Sequence, residues 1–139
     1  SITIKEFINI YSPFYPNFSQ KDLFEYITEF EIPEKGNLSS FSYGQKKKFL
    51  IAFGIATNCE ILILDEPTNG LDIPSKSKFR KVLASSINSK RSFIISTHQV
   101  RDIDQLIDPI VILDDGEIIF NHSLDEKSCI LKAQLKDIL

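Results

Sequence analysis

Ile61-Leu62-Ile63-Leu64-Asp65-Glu66-Pro67-Thr68-Asn69-Gly70-Leu71-Asp72 is the stretch on which the reading of this chain turns. Four consecutive large apolar residues run into two carboxylates, a proline and an Asn-Gly pair. An unbroken apolar run of this length predicts a strand buried on both faces, as in parallel sheets. Asp65 and Glu66 then stand at the strand's C-terminal end, where open α/β sheets receive their ligands. Adjacent carboxylates repel each other, so a cation or an exchangeable proton is expected beside them. A divalent metal on one and a base role for the other would satisfy that. The bland alternative is a buried strand ending in an ordinary acidic turn.

Working outward, Leu38-Ser39-Ser40-Phe41-Ser42-Tyr43-Gly44-Gln45 reads as a polar turn feeding a long helix. Phe49, Ala52, Phe53 and Ala56 mark that helix's buried face, and Asn58 closes it. Downstream, Asp72 is a good N-cap, with Pro74 tolerated in the first turn, for a helix burying Phe79, Val82 and Leu83. A second apolar strand, Phe93-Ile94-Ile95, ends in Ser96-Thr97-His98, and a short helix is expected over 100–107. Ile110–Leu113 and Glu117–Phe120 flank Asp114-Asp115-Gly116, a hairpin signal.

In front of all this, Thr3-x-x-Glu6 has the form of a capping box. It opens a helix with Ile4, Phe7, Ile8 and Tyr11 on one face. Ser19 and Asp22 open a second helix carrying Leu23, Phe24, Ile27 and Phe30, which Pro33 and Gly36 are expected to end. The tail from Leu124 predicts an amphipathic helix. The element order is that of an α/β domain with a helical insert in front.

Composition sets outer bounds. The 139 residues are 42% hydrophobic and 25% charged, enough for one domain with a real core. A net charge of −3 gives no broad drive toward nucleic acid or anionic lipid. Lys46-Lys47-Lys48 reads by default as a solvated helix face. Cys59 and Cys129 are expected as free thiols in a reducing compartment. No apolar run approaches the ~18 residues needed to span a bilayer and no signal peptide is visible, so a soluble intracellular chain is expected.

Three separated features carry residue types suited to phosphoryl chemistry. Ser42-Tyr43-Gly44-Gln45 lies at a helix N-terminus, where free N–H groups and the helix dipole favour an anion. Asp65-Glu66 offers a metal-directed carboxylate and a base. His98 closes a different strand, placing an imidazole at the same edge of the sheet. Each has a plainer reading: a simple N-cap for Ser42, a structural histidine, a turn at Asn69-Gly70.

Together and in this order, these residues resemble the ATP-binding cassette (ABC) ATPases. Phe41-Ser42-Tyr43-Gly44-Gln45 resembles their signature motif, Ile61–Glu66 the Walker B strand with its catalytic glutamate, Asn69–Asp72 the D-loop, and Ser96–His98 the switch-histidine loop. The tract Phe14–Phe18 and the short helical layer are most similar to drug- or ion-exporter members. The resemblance implies a partial P-loop NTPase (RecA-like) core with parallel strands plus the ABC helical subdomain, divided as 1–58 helical subdomain and signature helix, 59–122 core, and 123–139 C-terminal helix.

Carried over by position, it implies ATP and Mg²⁺ as cofactors. Asp65 would hold the metal, and Glu66 would orient and deprotonate the attacking water. His98 would contact the γ-phosphate. Ser42, Gly44 and Gln45 would bind nucleotide held by a second, facing ABC ATPase domain, and Asp72 would cross the same head-to-tail interface. A transmembrane permease subunit is the implied partner, with the ATPase peripheral on the cytoplasmic face of the membrane. Nucleic acid is not an expected partner.

Two departures stand out. Tyr43 replaces the first glycine of the signature pair. No G-x-x-x-x-G-K-[ST] occurs, since none of Gly36, Gly44, Gly54, Gly70 and Gly116 begins one. The expectation is therefore a fragment lacking the P-loop strand, inactive alone and open at an unpaired strand edge that favours self-association. Non-transport ABC ATPases of translation or repair type, or a non-catalytic interaction module, are the alternatives.

Overall fold

The structure, a computed structural model, describes residues 2–103, 106 and 109–122. It divides into two compact units, residues 1–102 and 103–139. The expected tail helix from Leu124 lies outside the described residues, as does Cys129; Cys59 is a free thiol.

The first unit begins with α1 (Ile4–Tyr11) and α2 (Gln20–Glu29). Both start at the caps their sequence predicts. Thr3 and Glu6 form a complete capping box, and the Ser19 hydroxyl accepts from the Asp22 N–H at 3.2 Å. α2 stops at Glu29, ahead of the Pro33 and Gly36 expected to end it. Glu31 takes a left-handed φ of 53° there, after which the chain cannot continue the helix.

α3 (Tyr43–Ala56) is the spine of this unit. Its expected face of Phe49, Ala52, Phe53 and Ala56 is buried, but so are Ile51 and Ile55. Only the C-terminal part of α3, from Ile51 to Ala56, is buried on more than one side and so packs centrally; the first turns carry Gln45 and Lys46–Lys48, and Leu50 is 55% exposed. Phe7 of α1 meets Phe49 and Phe53 edge-on, each with ring centroids 5.1 Å apart, and Tyr15 and Phe18 complete the cluster on Phe53. Such pairs add about 0.5–1.5 kcal/mol each beyond the area they bury. α3 ends as predicted, with Thr57 as C-cap and Asn58 at φ 52°. Arg91 then takes up one of its last carbonyls, donating to Ile55 O at 2.9 Å, and also donates to Cys59 O, beyond the helix end, at 3.2 Å, with the Phe93 ring 5.0 Å from its guanidinium.

β1 (Ile61–Asp65), α4 (Ile73–Ser86) and β2 (Ser92–Ser96) form a strand–helix–strand unit. β1 and β2 pair in parallel, with Ile63 opposite Ile94 and Asp65 opposite Ser96. α4 begins at the predicted cap: Asp72 Oδ1 accepts from the Ser75 N–H at 2.8 Å. Phe79, Val82 and Leu83 are its buried face.

One expectation is corrected here. β1 is not buried on both faces, because Ile61 and Ile63 are 62% and 67% exposed, and Ile94 beside them is 55% exposed. Leu62 faces α3 at Gly54, while Ile61, Ile63 and Asp65 point the opposite way. An apolar run shows that a strand tolerates burial on two faces; burial itself needs a layer on each, and here one face is covered.

The helix expected over 100–107 is a 3₁₀ turn at Val100–Asp102 within the described residues. In the second unit the hairpin forms as predicted, β3 (Ile110–Asp114) antiparallel to β4 (Glu117–His122). Asp115 and Gly116 both have positive φ, the requirement of a two-residue turn that follows the strand twist. Among the described residues no helix is long and apolar enough to cross a membrane.

Candidate functional site

Parallel pairing of β1 with β2 brings both C-terminal ends to one edge of the sheet. Glu66 follows β1 and His98 lies two residues beyond β2. The Glu66 carboxylate is gripped there from the second strand's exit. Its Oε1 accepts from the His98 backbone N–H at 3.0 Å and lies 2.7 Å from His98 Nδ1, and its Oε2 accepts from the Thr97 hydroxyl at 3.2 Å. The convergence expected for Glu66 and His98 is therefore present.

These bonds stabilise the ionised carboxylate. The His98 ring contact, ahead of burial in the opposite sense, holds Glu66 below the ordinary carboxylate range. Gln99 determines the imidazole's proton. Its Oε1 accepts from Lys76 Nζ at 2.6 Å, which turns its amide N–H₂ toward His98 Nε2 at 3.3 Å. Nε2 is then the acceptor and Nδ1 the donor to Glu66.

Glu66 itself has a φ of +44°, a sparsely populated conformation for a residue with a Cβ. Such strain costs of order 1–3 kcal/mol and persists only where the surroundings over-determine it. Three hydrogen bonds do so. Glu66 N donates to Ser96 O at 2.9 Å, and Glu66 O accepts from Asn69 N at 3.2 Å and from Lys47 Nζ at 2.6 Å. Lys47 Nζ also reaches Asn69 O at 2.7 Å. The basic run is thus not a solvated face throughout: the middle lysine is half-buried and bonded into the acidic turn.

Asp65 sits on the open face of the sheet, and the hydroxyl of its register partner Ser96 donates to Oδ1. Among the described residues no cluster of three or more metal-ligating side chains occurs. A lone carboxylate oriented by a hydroxyl suits a cation that keeps most of its water or takes phosphate oxygens, which is the habit of Mg²⁺, and does not suit an all-protein cage.

Ser42 and Gln45 form a reciprocal capping box at the start of α3: Ser42 Oγ accepts from Gln45 N at 3.2 Å, and Gln45 Oε1 accepts from Ser42 N at 2.9 Å. The plain-cap reading of Ser42 is therefore correct as far as it goes. Yet the cap uses only an oxygen lone pair, so the Ser42 hydroxyl proton can still be donated elsewhere. The Tyr43 and Gly44 N–H groups are first-turn donors with no intrahelical acceptor. A Cβ at Gly44 would meet nothing within 4 Å, so packing inside this chain does not require glycine there. Tyr43 folds over the acidic turn, its ring 3.3 Å from where a Cβ on Gly70 would stand, and Gly70 has φ +75°. Asp72 spends one oxygen on its cap, and Ser75's hydrogen bonds hold its carboxyl below the usual range.

Sequence reading missed Lys47, Ser96 as the hydroxyl donor to Asp65, and the Lys76–Gln99 pair. Ser96 becomes findable only once strand register is known. The lysine in a run of three carries no local mark of its destination.

Residues 10–101 match the family model described as "AAA domain, putative AbiEii toxin, Type IV TA system". The chain is 27% identical over 135 residues to the ABC transporter ATP-binding protein YtrB of Bacillus subtilis, covering 96% of this chain and 46% of that protein. It is 35% identical over 105 residues to the bacitracin transport ATP-binding protein BcrA of Bacillus licheniformis, covering 72% and 34% respectively. It thus spans less than half the length of these relatives. Among solved structures, the dimeric structure of MJ0796, a bacterial ABC transporter cassette, superposes with a TM-score of 0.71 at 22% identity, over 88% of this chain and 57% of that one.

Proposed function

We propose, for a chain that belongs to the AAA-domain family whose model it matches and is similar to ABC transporter ATP-binding proteins, that it is part of the ATP-binding and ATP-hydrolysing subunit of a membrane transporter. In this reading two such domains pair head to tail, and hydrolysis drives a transmembrane permease subunit from the cytoplasmic face. Export is the direction that the tract at residues 14–18 favours. The observation that carries the enzymatic reading is the Glu66 carboxylate, fixed at the sheet's C-terminal edge by Thr97 and His98 and adjacent to Asp65.

The residues divide the work. Glu66, kept ionised by its donors, orients a water through a remaining lone pair and receives its proton as attack begins. His98 shares a proton with Glu66 through Nδ1, and leaves that carboxylate more basic when its ring turns to a phosphate. Mg²⁺, when bound, supplies charge neutralisation for the phosphates, and Asp65 oriented by Ser96 is the residue that would hold it. Ser42, Gly44 and Gln45 offer a hydroxyl, backbone N–H groups and an amide to the γ-phosphate of nucleotide on the facing subunit, where the open space over Gly44 admits it. Asp72, exposed at the end of the same turn, faces that subunit.

The test is Glu66→Gln in the full-length protein. ATP turnover is expected to fall roughly 10²–10⁴-fold, a general-base contribution, with ATP binding retained. Unchanged turnover removes Glu66 from the role.

A further inference from the structure

We propose that Lys47 is a positioning residue for hydrolysis, a strut by which α3 holds the backbone of the Glu66–Asn69 turn. The proposal rests on the roles given above to Glu66 and Ser42, and the hydrogen bonds behind it do not depend on them. Lys47 Nζ donates to the carbonyls of Glu66 and Asn69 at 2.6 and 2.7 Å. Both acceptors are backbone atoms of the turn that presents the carboxylate, on an element far from Lys47 in sequence.

An ammonium is a costly group to place there as mere filling. Lys47 is half-buried, and desolvation pulls its pKa down although the Glu66 and Asp65 charges pull the other way. Its bonds go to carbonyls, so the charge strengthens two hydrogen bonds, and among the described residues no carboxylate forms a salt bridge with it. The target explains the expense. Glu66 occupies a left-handed conformation, and its carbonyl direction is what that conformation changes. Without Lys47 that carbonyl keeps, among the described residues, the Asn69 N–H at 3.2 Å, and Asn69 O loses the Lys47 donor. Relaxation of φ at Glu66 would swing the side chain away from His98.

The strut also has direction. Lys47 lies little more than one turn beyond Ser42 on the same rigid helix, and Tyr43 contacts Gly70 in the same acidic turn. A phosphate of the facing subunit that shifts the Ser42 turn therefore shifts the Glu66 turn of the same chain. In a head-to-tail pair those two turns serve different nucleotides. Lys47 is then a route by which one site's occupancy reaches the other site's water-directing residue.

The experiment compares Lys47→Met and Lys47→Arg in the full-length protein. Met preserves the stem's packing and removes both hydrogen bonds; Arg can still donate to carbonyls. For Lys47→Met, kcat is expected to fall about 10- to 100-fold, the scale of a small misplacement of a catalytic group. KM for ATP should stay within about twofold, because the Lys47 ammonium is committed to the Glu66 and Asn69 backbone carbonyls, and Lys47→Arg should recover part of the loss. A second readout is independent of activity: ¹³C carbonyl and ¹³Cα shifts of Glu66 and Asn69 should move in Lys47→Met, with Glu66 losing its left-handed signature. If Glu66→Gln abolishes turnover while Lys47→Met leaves kcat intact, the strut is refuted and the role of Glu66 survives. If Glu66→Gln changes nothing, the enzymatic reading has failed, and unchanged carbonyl shifts would overturn the strut as well.

Discussion

Ser42 is asked to do two things, to cap α3 and to meet a phosphate, and paired substitutions separate them. Ser42→Ala removes the acceptor for the Gln45 N–H while leaving the Gln45 side-chain bond to Ser42 N in place. Loss of such a cap costs about 1 kcal/mol, or roughly 3 °C in Tm for a chain of this size. Ser42→Asp keeps a cap of equal rank and places a negative charge at the positive end of the helix, worth about 0.3–1 kcal/mol in the folded state's favour. Its Tm should equal or exceed wild type. The same charge opposes a phosphate. At ~4 Å the repulsion runs from ~1 kcal/mol in bulk water to ~4 kcal/mol at an effective dielectric near 20, which is about 5-fold to about 10³-fold in affinity. Scanning calorimetry reads the first effect. The second is read by sedimentation of the full-length protein with ATP, turnover being blocked by Glu66→Gln. The expected pattern is a stable Ser42→Asp protein that fails to pair on ATP. A Ser42→Asp protein as destabilised as Ser42→Ala would refute the cap, and one that pairs like wild type would refute the phosphate role.

Asp72 makes stability pH-dependent. Its folded pKa is depressed by Ser75, so its contribution is present above the unfolded value near 3.8 and disappears as pH falls through the lower folded value. Asp72→Asn should therefore lower Tm at pH 7 by a margin that closes toward pH 3, and a margin independent of pH would contradict that assignment. The open apolar face of β1 and β2, with Ile63 and Ile94 exposed and each strand paired only to the other among the described residues, should make the 139-residue chain self-associate. Ile94→Lys should reduce the association in sedimentation, whereas a wild-type chain that stays monomeric at high concentration argues against it.

Much of the fold could be read because its signals are local. The caps at Thr3, Ser19, Ser42 and Asp72 each work within three residues, and the Asp115-Gly116 turn within two. What escaped reading depends on partners distant in sequence. Whether Ile61 and Ile63 are covered depends on which layers flank the sheet, which a hydrophobic run does not encode. Arg91 looks like any surface arginine until Ile55 O near the end of α3 and Cys59 O just beyond it are seen to be its acceptors. For the site, residue types at element ends were enough to bring Glu66 and His98 together. Lys47 was not legible, because a lysine's four-carbon reach lets it serve a turn 19 residues away.

The parallel register that sets Asp65 opposite Ser96 has a bearing on how the protein matures. Parallel strands cannot pair through a tight turn, so this register is settled only after α4 has closed the crossover, a non-local and therefore late event in folding. A slip of one residue would send Ile63 and Asp65 to the face that belongs to Leu62 and Leu64, and would part Glu66 from Thr97 and His98. α3 and its aromatic cluster could still assemble in such a species, giving a compact, helical and inert protein. Far-ultraviolet dichroism would pass it as native. The Glu66–His98 contact would not form, which makes that contact a sensitive reporter of correct maturation.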